Sequence, residues 1–296
     1  MNSVDAVLFG PTDDTETFLS TYKPSSNRQD ILGGWYWVIN KEGLKGQDKP
    51  AEDVESDGRT TFEREGAELE AELTAECNRI KDEAPVRGNK KQGIKSQKEL
   101  REIAHEVFNA GVKKLAQKHG VLSGKWLLYP GPEGVDSTWR KVVNALAKAD
   151  GALAKAGSVH CAKVSTAVQD GGSGGYVICV YCDDSWDKEG VKAAFVALVK
   201  DLGLVSQAYK CDANTILGID SKHPSKIKSS LYGKNDYMTK EEIDAAMAAR
   251  EANPETASKA RAVKSKTLEE EEAEGCGFAP VSDSEDDEPP KKKIKV

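Results

Sequence analysis

The chain has 296 residues, of which 31% are charged and 38% apolar, and its formal net charge is −7. No run approaches the roughly 20 apolar residues that a membrane-spanning helix needs. The low apolar fraction implies that part of the chain stays outside any packed core.

In chain order, residues 1–30 are polar, with Pro11, Pro24, Ser25 and Ser26, and read as an irregular segment. Residues 31–40 hold the first strand of a core domain, Trp35-Tyr36-Trp37-Val38-Ile39. Aromatic and β-branched enrichment behind Gly33-Gly34 favours a strand. Period 2 places Trp35, Trp37 and Ile39 on one face and Tyr36 and Val38 on the other.

Residues 41–96 form an acidic insertion and basic linker, with 41–61 loop-like and Phe62 to about Glu83 helical in composition. Ser96 with Glu99 three residues on is a capping box. It opens a helix whose apolar positions are Leu100, Ile103, Ala104, Val107 and Phe108, then Val112 and Leu115, interrupted by Gly111. Residues 97–237 form the main domain. A strand at Trp126–Tyr129 ends in Pro130-Gly131-Pro132, and Asp136 or Ser137 caps a helix carrying Trp139, Val142, Val143 and Leu146. A strand over 159–168 leads to the glycine turn 171–175, then to the buried strand Tyr176–Cys182. A helix over 187–202 turns Val191, Ala194, Phe195, Leu198 and Val199 inward and stops at Gly203. Two further strands fit Ser206–Lys210 and Thr215–Asp220, followed by a basic loop over 221–235. Residues 238–274 read as a charged helical extension, and 275–296 as a disordered acidic tail with a basic end. Short strand-to-strand connections favour an α+β fold, a curved antiparallel sheet with helices packed on one face.

Charge is unevenly distributed. Residues 41–83 hold 7 basic and 14 acidic groups, whereas residues 84–235 hold 23 basic and 14 acidic. A central excess of nine positive charges can attract a phosphate backbone. Six scattered cysteines suit a reducing compartment better than a disulfide scaffold. The N-terminus MNSVDAVLFG carries no secretory or transit signature. Cys179 and Cys182, three apart in a strand, point to opposite faces and do not share a tetrahedral metal. The glycines at 171–175 precede a strand rather than a helix, so they do not form a phosphate loop. None of the four histidines sits in a catalytic motif. Neither enzyme activity, a metal nor a cofactor is expected.

Tryptophans and lysines carry the binding expectation. Indoles stack on nucleobases while lysines hold phosphates. Trp35 and Trp37 share a strand face, Trp186 lies in the polar turn Asp183–Asp187, and Lys222, Lys226 and Lys228 lie in the basic loop. In the tail, Lys291, Lys292, Lys293 and Lys295 resemble a nuclear localisation signal read by an import receptor. Ser282 and Ser284, amid acidic residues, resemble acidophilic-kinase sites, where each phosphate adds about −1.5 to −2 charges. A nuclear and cytoplasmic protein is the expectation.

The segments Trp35–Ile39, Gly124–Leu128, Val135–Trp139, Tyr176–Tyr181 and Tyr209–Asp212 with Leu217–Ile219 resemble the basophilic-leukaemia-expressed protein family, similar in fold to translation initiation factor 4E. The resemblance covers about residues 30–45 and 100–235. It implies an antiparallel sheet with helices on its convex face and a ligand groove on its concave side. Cap-binding factors of that fold stack methylated guanine between two tryptophans, fix its edge with a glutamate and clamp phosphates with basic residues. By position, Trp35 or Trp37 supplies one stacking surface, and Lys222, Lys226 and Lys228 supply phosphate contacts. The nearest glutamate downstream of Trp126 is Glu133, beyond the proline turn, so cap specificity is not carried over. RNA or a capped nucleotide is the implied ligand, and a protein-interaction domain without nucleic-acid binding is the alternative.

Overall fold

Burial along Trp35–Ile39 alternates, with Tyr36 and Val38 buried and Trp35, Trp37 and Ile39 half-buried. The pleat that sends successive side chains to opposite faces therefore separates a sealed face from a second one. The computed structural model describes residues 6–9, 14–26, 34–40, 55–166 and 175–252. Contacts group Met1–Arg250 into one compact unit and Glu251–Val296 into a second; the first holds nearly all the described residues.

Seven strands form one sheet: β1 (Ala6–Phe9), β2 (Trp35–Ile39), β3 (Gly124–Leu128), β4 (Val159–Ser165), β5 (Ile178–Cys182), β6 (Ala208–Cys211) and β7 (Tyr232–Gly233). Their order is β1-β2-β4-β5-β3-β6-β7. β1 runs parallel to β2, and every other pairing is antiparallel. The architecture is thus mixed α+β, as the sequence implies.

One face is sealed by α4 (Val135–Ala147), α5 (Ala152–Lys155) and α6 (Lys188–Val196), the last continuing as a π-helical turn over Ala197–Leu202. Its core contains Trp126, Trp139, Val180, Phe195 and Tyr209, all fully buried. Trp126 sits at the centre. Its ring lies 4.6 Å from Phe195 and 5.3 Å from Tyr209, and its indole N–H donates to the Val191 carbonyl at 3.1 Å. That bond removes the cost of burying an unpaired donor. The apolar positions expected on α4 and α6 are the ones buried, and Gly203 takes the left-handed conformation (φ +67°) that ends the second helix. Ile243 of α8 (Lys240–Glu251) also packs into this core.

A second cluster gathers Cys211, at the end of β6, with Ala213, Ile219 and Ile227. Here α2 (Glu55–Glu83) and α3 (Gln97–His119) pack as a hairpin, burying Phe62, Leu73, Phe108, Val112 and Ala116. The Ser96–Glu99 capping box forms as expected, and Gly120 closes α3 in the left-handed conformation (φ +71°). Gly111 has a packing role: a Cβ there would come within 3.0 Å of the Leu69 side chain.

Five local expectations change. Residues 1–30 are not wholly irregular: they contribute β1 and α1 (Thr15–Thr21), which buries Phe18 and Leu19. Asp14 caps α1 by accepting from the Thr17 N–H at 2.7 Å, and Ser25 bonds to Asp136 at the start of α4. The expected loop over 41–61 gives way to helix from Glu55, because the segment packs along α3. Asp136 and Ser137 do not cap α4; Gly134 occupies that position, while Asp136 is used by Ser25. The expected strand Thr215–Asp220 is instead the short helix α7 (Asp212–Ile216), stopped by Gly218 at φ +69°. Finally, Ile103 and Val107 point outward, 38% and 69% exposed, because α3 turns its Phe108–Val112–Ala116 seam to α2.

Truncating the sealed core should be costly. Trp139→Ala and Phe195→Ala are each expected to lower unfolding free energy by about 3–5 kcal/mol. Val107→Ala should stay within about 0.5 kcal/mol. Urea titration followed by far-ultraviolet circular dichroism distinguishes these outcomes.

Candidate functional site on the second sheet face

Residues paired across antiparallel strands share a face, so the register builds the site directly. One row runs Ile39, Cys161, Tyr181, Lys125 and Lys210; the next runs Trp37, Lys163, Cys179, Leu127 and Ala208. Trp35 lies beside Ser165 in a third. Cys161, Cys179 and Tyr181 are buried in this layer, with Trp37, Ile39, Leu127 and Val177 packed against them.

Lys163 is the centre of the face. Its ammonium lies 4.1 Å from the Trp35 ring centroid, 4.8 Å from that of Trp37 and 5.7 Å from that of Tyr181. Trp37 and Tyr181 stack at 5.8 Å with 20° between their planes. Each ring offers a negative π-face to the cation. Among the described residues, no carboxylate pairs with Lys163. Burial pushes its ammonium below the ordinary lysine value and does the same to Lys210. Lys125 differs: it pairs with Asp212, donates to the Thr215 hydroxyl at 3.2 Å, and lies 5.4 Å from the Tyr181 ring. Burial also pushes the Tyr181 phenol upward and the Cys179 thiol to about 11.

At one end of this layer, the register shifts between Val159 and Cys161. The intervening His160 has its ring 6.1 Å from that of Tyr181 and its Nδ1 2.7 Å from an Asp183 carboxylate oxygen. The carboxylate lies off the N–H direction, so the contact is an ion pair. Burial, the largest single influence on the imidazole, opposes its charge. Asp183 and Cys161 together outweigh burial and raise the ring to about 10.

The structure brings together only part of the set expected from sequence. Trp35 and Trp37 share the Lys163 site. Trp186 packs instead with the α2–α3 cluster, its backbone N–H bonded to Asp184 at 2.8 Å. Lys222, Lys226 and Lys228 are exposed on a loop tied to the hairpin, where His223 meets Glu70 at 3.1 Å and His105 meets the Ser225 carbonyl at 3.0 Å. Cys179 and Cys182 do face opposite sides, and no metal-capable cluster occurs among the described residues. Residues 171–174 of the glycine turn, Ser282, Ser284, Lys291, Lys292, Lys293 and Lys295 lie outside the described residues. Sequence reasoning missed Lys163, Tyr181 and His160. The available signal was a lone lysine within the largely apolar strand Val159–Ser165.

A sequence profile of the family described as basophilic leukemia-expressed protein Bles03 matches residues 6–218. The chain belongs to that family. The family region takes in β1 to β6, the helical hairpin and every residue of the Lys163 and His160 clusters. The loop lysines 222, 226 and 228 lie beyond it. No helix among the described residues is long and apolar enough to cross a membrane.

His160 should carry its proton at neutral pH. A histidine whose folded value is raised adds stability that is fully present below its unfolded value, about 6.5, and is lost as pH rises through the folded value. Asp183→Asn should therefore weaken the protein more at about pH 6 than at about pH 9. The imidazole NMR resonance of His160 should stay in its protonated position at pH 7.5 and move toward the neutral position in the variant. A wild-type ring already neutral at pH 7.5 would contradict the assignment.

Proposed function

We propose that the sheet face bearing Trp35, Trp37, Tyr181 and Lys163 binds a nucleotide or single-stranded RNA. The observation that carries this reading is an ammonium among three aromatic rings with no carboxylate partner among the described residues. A base stacks on the half-buried indoles, at about 1–3 kcal/mol per base. Lys163 and Lys210 meet the phosphates. Lys125, already neutralised by Asp212, positions Tyr181 rather than the ligand. Lys222, Lys226 and Lys228 add long-range attraction from outside the site. Six strands paired antiparallel, with α4 to α6 on the opposite face, support the factor-4E-like, curved-sheet reading of the fold. The activity is binding rather than catalysis. The basic terminus containing Lys291, Lys292, Lys293 and Lys295 serves an import receptor, giving nuclear and cytoplasmic residence, and Ser282 and Ser284 are kinase sites beside it.

A protein-docking role is the second reading, favoured by Ile103 and Val107, exposed one turn apart on α3. Val107→Glu would then abolish a stoichiometric protein complex while leaving nucleotide binding intact.

Tryptophan fluorescence titration with capped and uncapped mononucleotides and short RNA, at about 50 and 200 mM salt, tests the first reading. Trp37→Ala should weaken RNA binding about tenfold or more. Lys163→Gln should reduce the salt slope by about one. Absence of saturable quenching at the lower salt would overturn the proposal.

A further inference from the structure

We infer that the turn joining α2 to α3 is a docking surface for an acidic peptide that carries an apolar anchor. The inference rests on the docking reading of Ile103 and Val107 and names its partner; it does not involve the nucleotide-binding face. Residues 84–98 hold five basic side chains, Arg87, Lys90, Lys91, Lys95 and Lys98, and no acidic one. All five are exposed. The acidic residues that border this run are already engaged: Glu83 pairs with Arg79 at 3.0 Å, and Glu99 accepts from the Ser96 N–H and hydroxyl, both at 2.8 Å. The turn therefore presents a concentrated positive surface that attracts negative charge.

Apolar surface adjoins these cations. Val86 is 76% exposed and Ile94 44%. Ile94, Ile80, Pro85 and Leu100 line a groove of about 390 Å³ between the end of α2 and the start of α3, with Arg79 and Lys95 as its cationic groups. Leu100, Ile103 and Val107 recur at helical spacing, so the apolar line continues from the groove along α3. Exposed apolar surface of this kind, rimmed by charge, marks an interaction site. The turn is also pre-formed. Asn89 and Ile94 exchange both backbone hydrogen bonds, at 2.8 and 3.0 Å, and the Asn89 side chain accepts from the Lys91 N–H at 3.1 Å. The Gln97 side chain donates to the Lys81 and Ala84 carbonyls at 3.0 and 3.1 Å, tying α3 to α2. A partner meets a fixed surface, so little ordering cost falls on this side of the complex.

Charge and lining select the occupant. No aromatic ring lines the groove, so single-stranded RNA finds no stacking surface there. Glu102 and Glu106, exposed beside Ile103 and Val107, oppose an anionic membrane laid along the same line. A peptide satisfies both halves of the surface. Its carboxylates meet the lysines of the turn, and a leucine or phenylalanine side chain enters the groove. Acidic groups belong only over the turn, because α3 carries its own farther along. Charges at the rim of such a contact govern association and its salt dependence, whereas the buried anchor governs dissociation.

Biolayer interferometry of the full-length protein with two short synthetic peptides tests the inference. One peptide has aspartates and glutamates on either side of a leucine–phenylalanine pair; the other has glutamines in place of the acids. The acidic peptide should bind at least about tenfold more tightly at about 50 mM salt and lose most of that advantage at about 500 mM. Lys90→Glu combined with Lys91→Glu should slow association about tenfold. Lys188→Glu combined with Lys192→Glu, the same charge change on exposed lysines of α6, should alter it less than about twofold. Ile94→Ser should speed dissociation severalfold. Equal binding of the glutamine peptide would overturn the acidic partner and leave docking along α3 standing. Binding of neither peptide, or an equal loss in the α6 variant, would overturn the inference, while the complex formed or lost in Val107→Glu still reports on the docking reading by itself. Binding of short RNA or of phosphatidylserine vesicles in place of the peptide, abolished by the turn variant, would overturn it in favour of that class.

Discussion

The pleat of the antiparallel sheet, anchored on Trp126, governs the rest of the molecule. Trp126 fills the sealed face against Phe195 and Tyr209 and is fixed by its bond to the Val191 carbonyl. Because the side-chain period is two, the register that buries Trp126 beside Val180 and Tyr209 also sets Lys125 beside Tyr181 and Lys210 one step along. A one-residue slip would exchange the two sets and place lysines in the apolar core. The energy of packing one face therefore positions the polar and aromatic groups of the other, with no separate device needed to assemble them.

The polar face divides its three central lysines into different electrostatic roles. Lys125 is buried and compensated by Asp212, as a buried charge must be. Lys163, among the described residues, lies against π-faces rather than a carboxylate, a weaker arrangement than an ion pair. Lys210 lies at the end of the same row as Lys125, half-buried. Of the three, Lys163 is the ammonium that lies against the two indoles, so one available charge adjoins the stacking surface.

Much of this order was legible in the sequence, and the failures have physical causes. Trp35 and Trp37 could be placed on one face because alternation is a backbone property. The α3 capping box and the inward residues of α4 and α6 followed from local chemistry in the same way. The partners of Trp35 could not be found locally, because Lys163 and Tyr181 come from strands far along the chain and meet β2 only through the order β2-β4-β5. Lys222, Lys226 and Lys228 attracted attention by clustering in sequence, yet their loop is tied to α2 and α3 through His223, Ser225 and Glu70. Thr215–Asp220 resembled a strand, but a short apolar run does not distinguish strand from helix. Here the Thr215 hydroxyl donates to the Cys211 carbonyl and Gly218 supplies the left-handed stop.

Tyr181 stands between the Lys163 and His160 clusters of the second face. Its ring stacks on Trp37, lies 5.7 Å from the Lys163 ammonium, pairs across the sheet with Cys161 and approaches His160 at 6.1 Å. Burial holds its phenol neutral, so it contributes a π-surface and no competing anion to either cluster. A base stacked on Trp37 would therefore meet a neutral ring and the Lys163 cation, with no phenolate to repel its phosphate.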